Sequence, residues 1–144
     1  MENAIPSAQD IYGACVCLRL SRAARGVTRR YDHALKPLGL TSGQFGILTA
    51  LAAADGMPLG VLAGLLGMDR TTLNRNLKPL AAAGLVDALS DDKDRRVRGL
   101  RLTPPGHTRL SQAIPVWQAA QQDSNRRLGR EGWPELRPLL DALA

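Results

Sequence analysis

Three groups of side chains in this 144-residue chain have the types and spacing to do chemistry. The first follows Asp69 and comprises Arg70, Thr71, Thr72, Asn74, Arg75, Asn76 and Lys78. A planar Arg fork matches guanine O6 and N7, and an amide reads adenine or backs up a phosphate. Hydroxyls and ammonium groups hold phosphates without reading sequence. The second group is the charged run around Asp94, Arg95, Arg96 and Arg98. The third is Cys15-Val16-Cys17, two thiols one residue apart. There is no nucleophile elbow, P-loop, zinc-ligand spacing or paired carboxylate set, so no enzyme is expected. His33 and His107 lack ligand-like spacing to the cysteines, and neither a metal nor a cofactor is expected.

These groups need elements to position them. From Asp10 to Leu38 apolar residues recur at steps of three or four, which predicts one long amphipathic helix. Thr41 and Gln44 fit a capping box opening a second helix, which Asp55-Gly56 ends. A short third helix spans Pro58 to Leu66 and is broken by Gly67. Asp69 caps a fourth, with Leu73, Leu77, Leu80 and Ala81 on its buried stripe and the first chemical group on its outer side. Gly84-Leu85 predicts a left-handed helix end. Pro79 is expected to kink or loosen the last turn of the fourth helix.

Val86–Leu89 and Val97–Leu102 then read as two strands, with the second chemical group at or beside their tip. Thr103-Pro104 starts a fifth helix, which runs to about Leu128 and should bend near Pro115. A last helix from about Pro134 to Leu143 is expected to bury Leu136, Leu139, Leu140 and Leu143. The fold class is therefore mostly α with a small β-hairpin wing: a winged helix-turn-helix with about six helices. Residues 41–103 form the winged unit of a single domain.

Composition agrees. The charge is +6, with 19 Lys and Arg against 13 Asp and Glu, which points to an anionic partner, nucleic acid first. Only five residues are aromatic, so the core must rest on Leu, Ala and Val. A single-chain core of that kind is thin, and oligomer contacts could supply the missing apolar area. Two cysteines make no disulfide scaffold, and Met1–Ser7 has neither the basic nor the apolar region of a signal peptide. No segment reaches the ~20 apolar residues of a membrane helix. A cytoplasmic protein without a membrane partner is the expectation.

Together these residues resemble the MarR family of bacterial transcriptional regulators. The resemblance rests on Leu40-Thr41-x-x-Gln44-Phe45, on Leu62-Ala63 to Met68-Asp69-Arg70-Thr71-Thr72, and on Leu80-x-x-x-Gly84-Leu85-Val86. It extends through Asp94-Arg95-Arg96 to Leu102-Thr103-x-x-Gly106. It implies a homodimer in which residues 10–38 and 104–144 intertwine. It also implies a regulator of double-stranded DNA, most often a repressor, on a pseudo-palindromic operator. By the same resemblance Arg96 would enter the minor groove with Asp94 orienting it.

Two switches suit such a protein. Cys17 and Tyr31 match the fourteen-residue Cys–Tyr spacing of the organic-peroxide-sensing, OhrR-like branch, where Tyr of one subunit bonds Cys of the other. Two further supporting tyrosines of that branch fall on Ser21 and Ser42 here. Within a continuous helix Cys15 and Cys17 would point about 200° apart and could not close a disulfide. The rival is a small aromatic or lipophilic effector, with Tyr12, Arg22, Phe45 and Trp117 as candidate linings. The alternatives to a DNA-binding regulator are a thiol-based peroxide sensor acting through Cys17 and a winged helix used for protein contact.

Overall fold

The computed structural model describes residues 5–90 and 97–144, with residues 90, 97 and 98 described through their backbone alone. Its elements run α1 (Ala8–Ala14), α2 (Val16–Leu35), a 3-10 turn (Lys36–Leu38), α3 (Ser42–Ala53), α4 (Leu59–Leu66) and α5 (Arg70–Ala82). They continue with β1 (Val86–Ser90), β2 (Val97–Leu102), α6 (Pro104–Leu128) and α7 (Gly132–Asp141). The mostly helical, winged helix-turn-helix architecture is thus as expected.

The long first helix is a correction. It is two helices, parted at Cys15, whose φ of −67° and ψ of 115° are extended. Neither Gly nor Pro stands at the break. Ser7 starts α1 with a full capping box to Asp10, and the Cys15 N–H closes α1 on the Ile11 carbonyl at 2.9 Å. The far end departs too, because Leu35 passes into the 3-10 turn containing Pro37 and stops at Gly39 with φ 68°.

Local caps hold the remaining boundaries. Thr41 and Gln44 bond reciprocally across the first turn of α3. Gly67 and Gly84 both adopt positive φ, at 60° and 70°, where a Cβ would be strained. In each case the following N–H reaches back into the helix: Met68 to the Ala63 carbonyl and Leu85 to the Leu80 carbonyl. Such bonds satisfy orphan carbonyls and fix the exit direction. Helix α5 continues past Pro79 to Ala82, and α6 continues past Pro115.

The wing pairs antiparallel, Val86 opposite Leu102 through Leu89 opposite Gly99. A short pairing from the α3–α4 connection joins it, with Met57 and Leu100 exchanging two backbone hydrogen bonds of 3.0 and 2.9 Å. A Cβ on Gly99 would overlap the Gly56 carbonyl, so only glycine lets the strand approach that connection so closely.

The core centres on the winged unit. Leu40, Ile47, Leu48, Leu51, Leu62, Leu73, Leu77, Leu80, Leu85 and Val86 are buried together, closed by Leu110 and Ala113 of α6. Helix α2 contributes only Leu35, while α1 and α7 contribute no buried residue. The expected burial of the last helix is therefore corrected: Leu136 and Leu140 are half-covered, and Leu139 and Leu143 are each 63% exposed. Periodicity places these leucines on one helix face, but α7 ends at Asp141, before Leu143, and its main packing partner within the chain is α6. Among the described residues no helix is long and apolar enough to cross a membrane.

Candidate nucleic-acid interface

Helix α5 follows α4 across the Gly67 turn, and its orientation is set by Leu73, Leu77 and Leu80 pressed into the core. The opposite arc carries Arg70, Thr71, Asn74, Arg75 and Lys78, all exposed. At 100° per residue these five fall on one side of the helix. Five of the seven residues expected on this surface thus stand free. Thr72 is half-buried at the edge of the arc. Asn76 is turned inward: its amide donates to the Thr72 carbonyl at 2.9 Å, and its Oδ1 lies against Gly43 at the start of α3.

Asp69 fixes the exposed end of the helix. Its carboxylate accepts the Thr72 N–H at 2.7 Å. That backbone bond first, then the Thr72 hydroxyl, hold the carboxyl below the usual carboxylate range, with the Arg75 charge adding a smaller pull. The remaining N-terminal N–H groups and the positive end of the helix dipole face outward beside Arg70, a setting that favours anions.

The second charged group follows between the two wing strands in the sequence. Asp94, Arg95 and Arg96 lie outside the described residues, and Arg98 is placed by its backbone alone on β2. Behind the wing, the Thr103 hydroxyl donates to the Gly84 carbonyl at 2.5 Å and accepts the Gly106 N–H at 3.1 Å. The exit of the helix-turn-helix and the start of α6 are therefore held by one side chain.

Two contacts that no local sequence pattern signals tie this unit to the flanking helices. The Asp32 carboxylate of α2 accepts the Ser42 N–H at 2.7 Å, and Arg109 of α6 donates to the Leu38 carbonyl at 2.6 Å. Both are side chain-to-backbone bonds, the first across ten residues of sequence and the second across 71.

The candidate switch residues are dispersed. Cys17 is exposed and Cys15 half-buried. Tyr31 donates its hydroxyl to Gln121 Oε1 at 2.8 Å within the same chain. The four candidate effector linings do not converge on one pocket. Phe45 and Trp117 stack with centroids 6.3 Å apart and planes 19° apart. Tyr12 and Arg22 instead line a small hollow of about 130 Å³ with Leu18, Arg19 and Arg25. A larger apolar cleft, about 660 Å³, opens between α2, α6 and α7, bordered by Leu20, Val27, Tyr31, Leu128, Trp133 and Leu140.

This geometry, a helix-turn-helix with an outward polar arc followed by a wing, defines a winged-helix transcriptional regulator rather than an enzyme. The family model of the MarR family matches residues 38–97, and the chain has the fold of that family's winged-helix regulators and is homologous to them. It is similar to the transcriptional regulator MosR of M. tuberculosis, at 32% identity and a TM-score of 0.81, covering 92% of this chain and 94% of that one. MosR has also been solved in complex with DNA. The transcriptional repressor CouR, at 26% identity and a TM-score of 0.81 over 96% and 99% of the two chains, has been solved bound to a 23-mer DNA duplex. CouR has also been solved bound to p-coumaroyl-CoA. A candidate regulatory protein for the hcr operon of Thauera aromatica is 30% identical over 90 residues. That alignment covers 62% of this chain and about half, 54%, of the relative.

Proposed function

We propose that this protein is a homodimeric transcriptional repressor that binds a pseudo-palindromic site on double-stranded DNA and is released by an effector. The observation that carries this reading is the exposed arc of α5, with Arg70, Thr71, Asn74, Arg75 and Lys78 on one side and the core leucines on the other. An arc of this kind fits the major groove when carried by the second helix of a helix-turn-helix. Arg75 reads guanine, and Asn74 reads adenine or supports a phosphate. Thr71, Thr72 and Lys78 grip phosphates. Asn76 acts from the rim, positioning α5 against α3. At the wing, Arg96 enters the minor groove, Asp94 orients it, and Arg95 and Arg98 add charge beside the backbone. The DNA complexes of the similar MosR and CouR support duplex DNA as the partner.

The dimer is read from what the single chain leaves uncovered. Val27 and Leu143 are exposed around an apolar cleft, Leu139 is exposed on α7, and Ile11 and Tyr12 are exposed on α1. Burying such area contributes roughly 25 cal/mol per Å². A second copy covers it, with residues 10–38 and 104–144 as the dimerisation helices and 41–103 as the winged unit. A small aromatic or lipophilic effector binds beside the Phe45–Trp117 stack, where the winged unit meets α6. The CoA ester seen on CouR favours an effector with an aromatic acyl group. Such a ligand acts by favouring one spacing of the two recognition helices.

The test is a titration of the protein with duplex DNA at several salt concentrations, beside sedimentation of the free protein. A dimer whose affinity falls steeply with salt is expected. A salt-insensitive or absent interaction would instead favour a winged helix used for protein contact.

A further inference from the structure

We propose that Arg29, Arg30 and His33 of α2 form, over Gly26, a binding site for the phosphate group of a small phosphorylated ligand. The inference goes beyond the function proposed above and needs neither DNA nor a dimer. The site is a hollow of about 540 Å³ between α2 and α6. That volume lies in the range of small-molecule pockets and exceeds what a phosphate alone fills, so the body of a ligand has room. Its α2 wall carries the three polar side chains, and the small residues Ala34 and Ala120 keep it open.

Gly26 shapes the floor. Glycine inside a helix lowers its stability relative to alanine. The backbone does not require it here, because Gly26 is not among the residues with positive φ. Where a Cβ would stand, the near neighbours are two guanidinium nitrogens, Arg30 Nη1 at 3.7 Å and Arg29 Nη2 at 3.9 Å. Two like charges therefore lean over one glycine. An anion between them replaces a repulsion by two attractions.

No carboxylate fills that role. Among the described residues neither Arg29 nor Arg30 forms an ion pair. Asp123, which borders the hollow, is already bonded by Arg127 at 2.8 Å and by Arg126 at 3.5 Å. Arg30 is half-buried, and its Nε is buried without a hydrogen-bond partner among the described residues. A guanidinium cannot shed its proton, so desolvating one is costly until a counter-ion is near.

The arrangement selects phosphate over carboxylate. One Arg fork matches either group. Arg29, Arg30 and His33, however, spread over about 100° of the helix, so their donors converge from different directions. The tetrahedral oxygens of a phosphate monoester meet such donors, and its charge of about −1.5 to −2 answers two guanidinium groups. The hollow is also separate from the apolar cleft. Arg30 borders both, but Gly26, Arg29 and His33 lie about half a turn of helix from Leu20, Val27 and Tyr31. A second copy seated on the cleft is not thereby seated on the hollow.

The experiment titrates the full-length, nitrogen-15-labelled protein with inorganic phosphate, and separately with acetate, at constant ionic strength. Resonances of residues 26–34 should move saturably with phosphate, and acetate should bind about tenfold or more weakly. Arg29→Gln should weaken phosphate about tenfold, the loss of one charge-assisted hydrogen bond. Gly26→Leu keeps every charge but fills the floor, and it should weaken phosphate at least as much. Arg25→Gln removes an exposed charge outside the hollow and should leave binding unchanged. Unchanged resonances far from α2 show that each variant is folded. Non-saturable shifts, equal loss in Arg25→Gln, or full binding in Gly26→Leu would reduce the site to diffuse charge and overturn the proposal. A loss of duplex DNA affinity in Arg29→Gln as large as its loss of phosphate would make the phosphate one of DNA's and overturn the small-ligand assignment. If the protein binds no DNA, the repressor reading fails while the phosphate titration still decides the site.

Discussion

The Asp32 carboxylate, near the end of α2, receives the backbone N–H of Ser42, the first residue of α3, at 2.7 Å. Ser42 offers one of the orphan donors of the α3 N-terminus, and a carboxylate placed there also meets the positive end of the helix dipole. One bond thus joins a helix assigned to dimerisation to the element on which the recognition helix rests. Asp32→Ala is expected to cost about 1–2 kcal/mol of stability, as for a partly solvated charge-assisted bond. It should also weaken DNA binding several-fold, as the winged unit loses its fixed relation to α2. Thermal unfolding and DNA titration check this; wild-type values in both would remove the link.

Gly106 is a second point where sequence and packing meet. It sits in the first turn of α6, where a Cβ would overlap the Leu85 carbonyl at the exit of the helix-turn-helix. That carbonyl is already occupied by the Thr103 N–H at 3.1 Å. Gly106→Ala therefore forces backbone to move and is expected to cost about 3 kcal/mol, at the upper end of overpacking penalties. Gly64→Ala, with open space at its Cβ, should be tolerated in the same chemical denaturation series.

The two arms of the DNA surface should fail differently. Arg75→Ala is expected to relax preference at one base pair per half-site, because a bidentate contact contributes about 1–3 kcal/mol of discrimination. Arg96→Ala should weaken binding to every sequence and flatten the salt dependence by roughly one unit. Competition against single-base-pair variants of the bound duplex separates the two patterns.

Asp69 makes the recognition helix sensitive to acid. Its folded carboxyl lies below the usual carboxylate range because it accepts the Thr72 N–H. A depressed folded value means that the contribution is complete above the unfolded carboxylate range and is lost as pH falls through the folded value. Asp69→Ser keeps a capping oxygen that does not titrate. Wild type should be the more stable of the two at neutral pH, and the gap should close as pH falls below 4, near the ~3.9 of an unperturbed Asp. A gap independent of pH would show that the charge contributes nothing.

Much of this fold was legible because its boundaries are chemical. Thr41 with Gln44, Asp69, Gly84 before Leu85, and Thr103 before Pro104 each state a cap, and each is where it was expected. The break at Cys15 was not legible, since Ala14-Cys15-Val16 has no breaker and the apolar spacing runs straight across it. Nor was the Met57–Leu100 pairing, because a single bridge has no period. Helical phase put Arg75 outward correctly. It could not turn Asn76 inward, which follows from the proximity of Gly43 on another helix. Leu139 and Leu143 mark the same boundary of method: spacing says which residues share a face, whereas what covers that face is decided by other elements or another chain.

On the proposed function, the outward arc of α5 is presented twice by a paired molecule and reads duplex DNA. Selection of bound duplexes from a fully randomised pool tests it most directly. An inverted repeat with half-site centres about one helical turn apart is expected. Enrichment of a lone half-site, or a recovered pool with no preferred sequence, would contradict it.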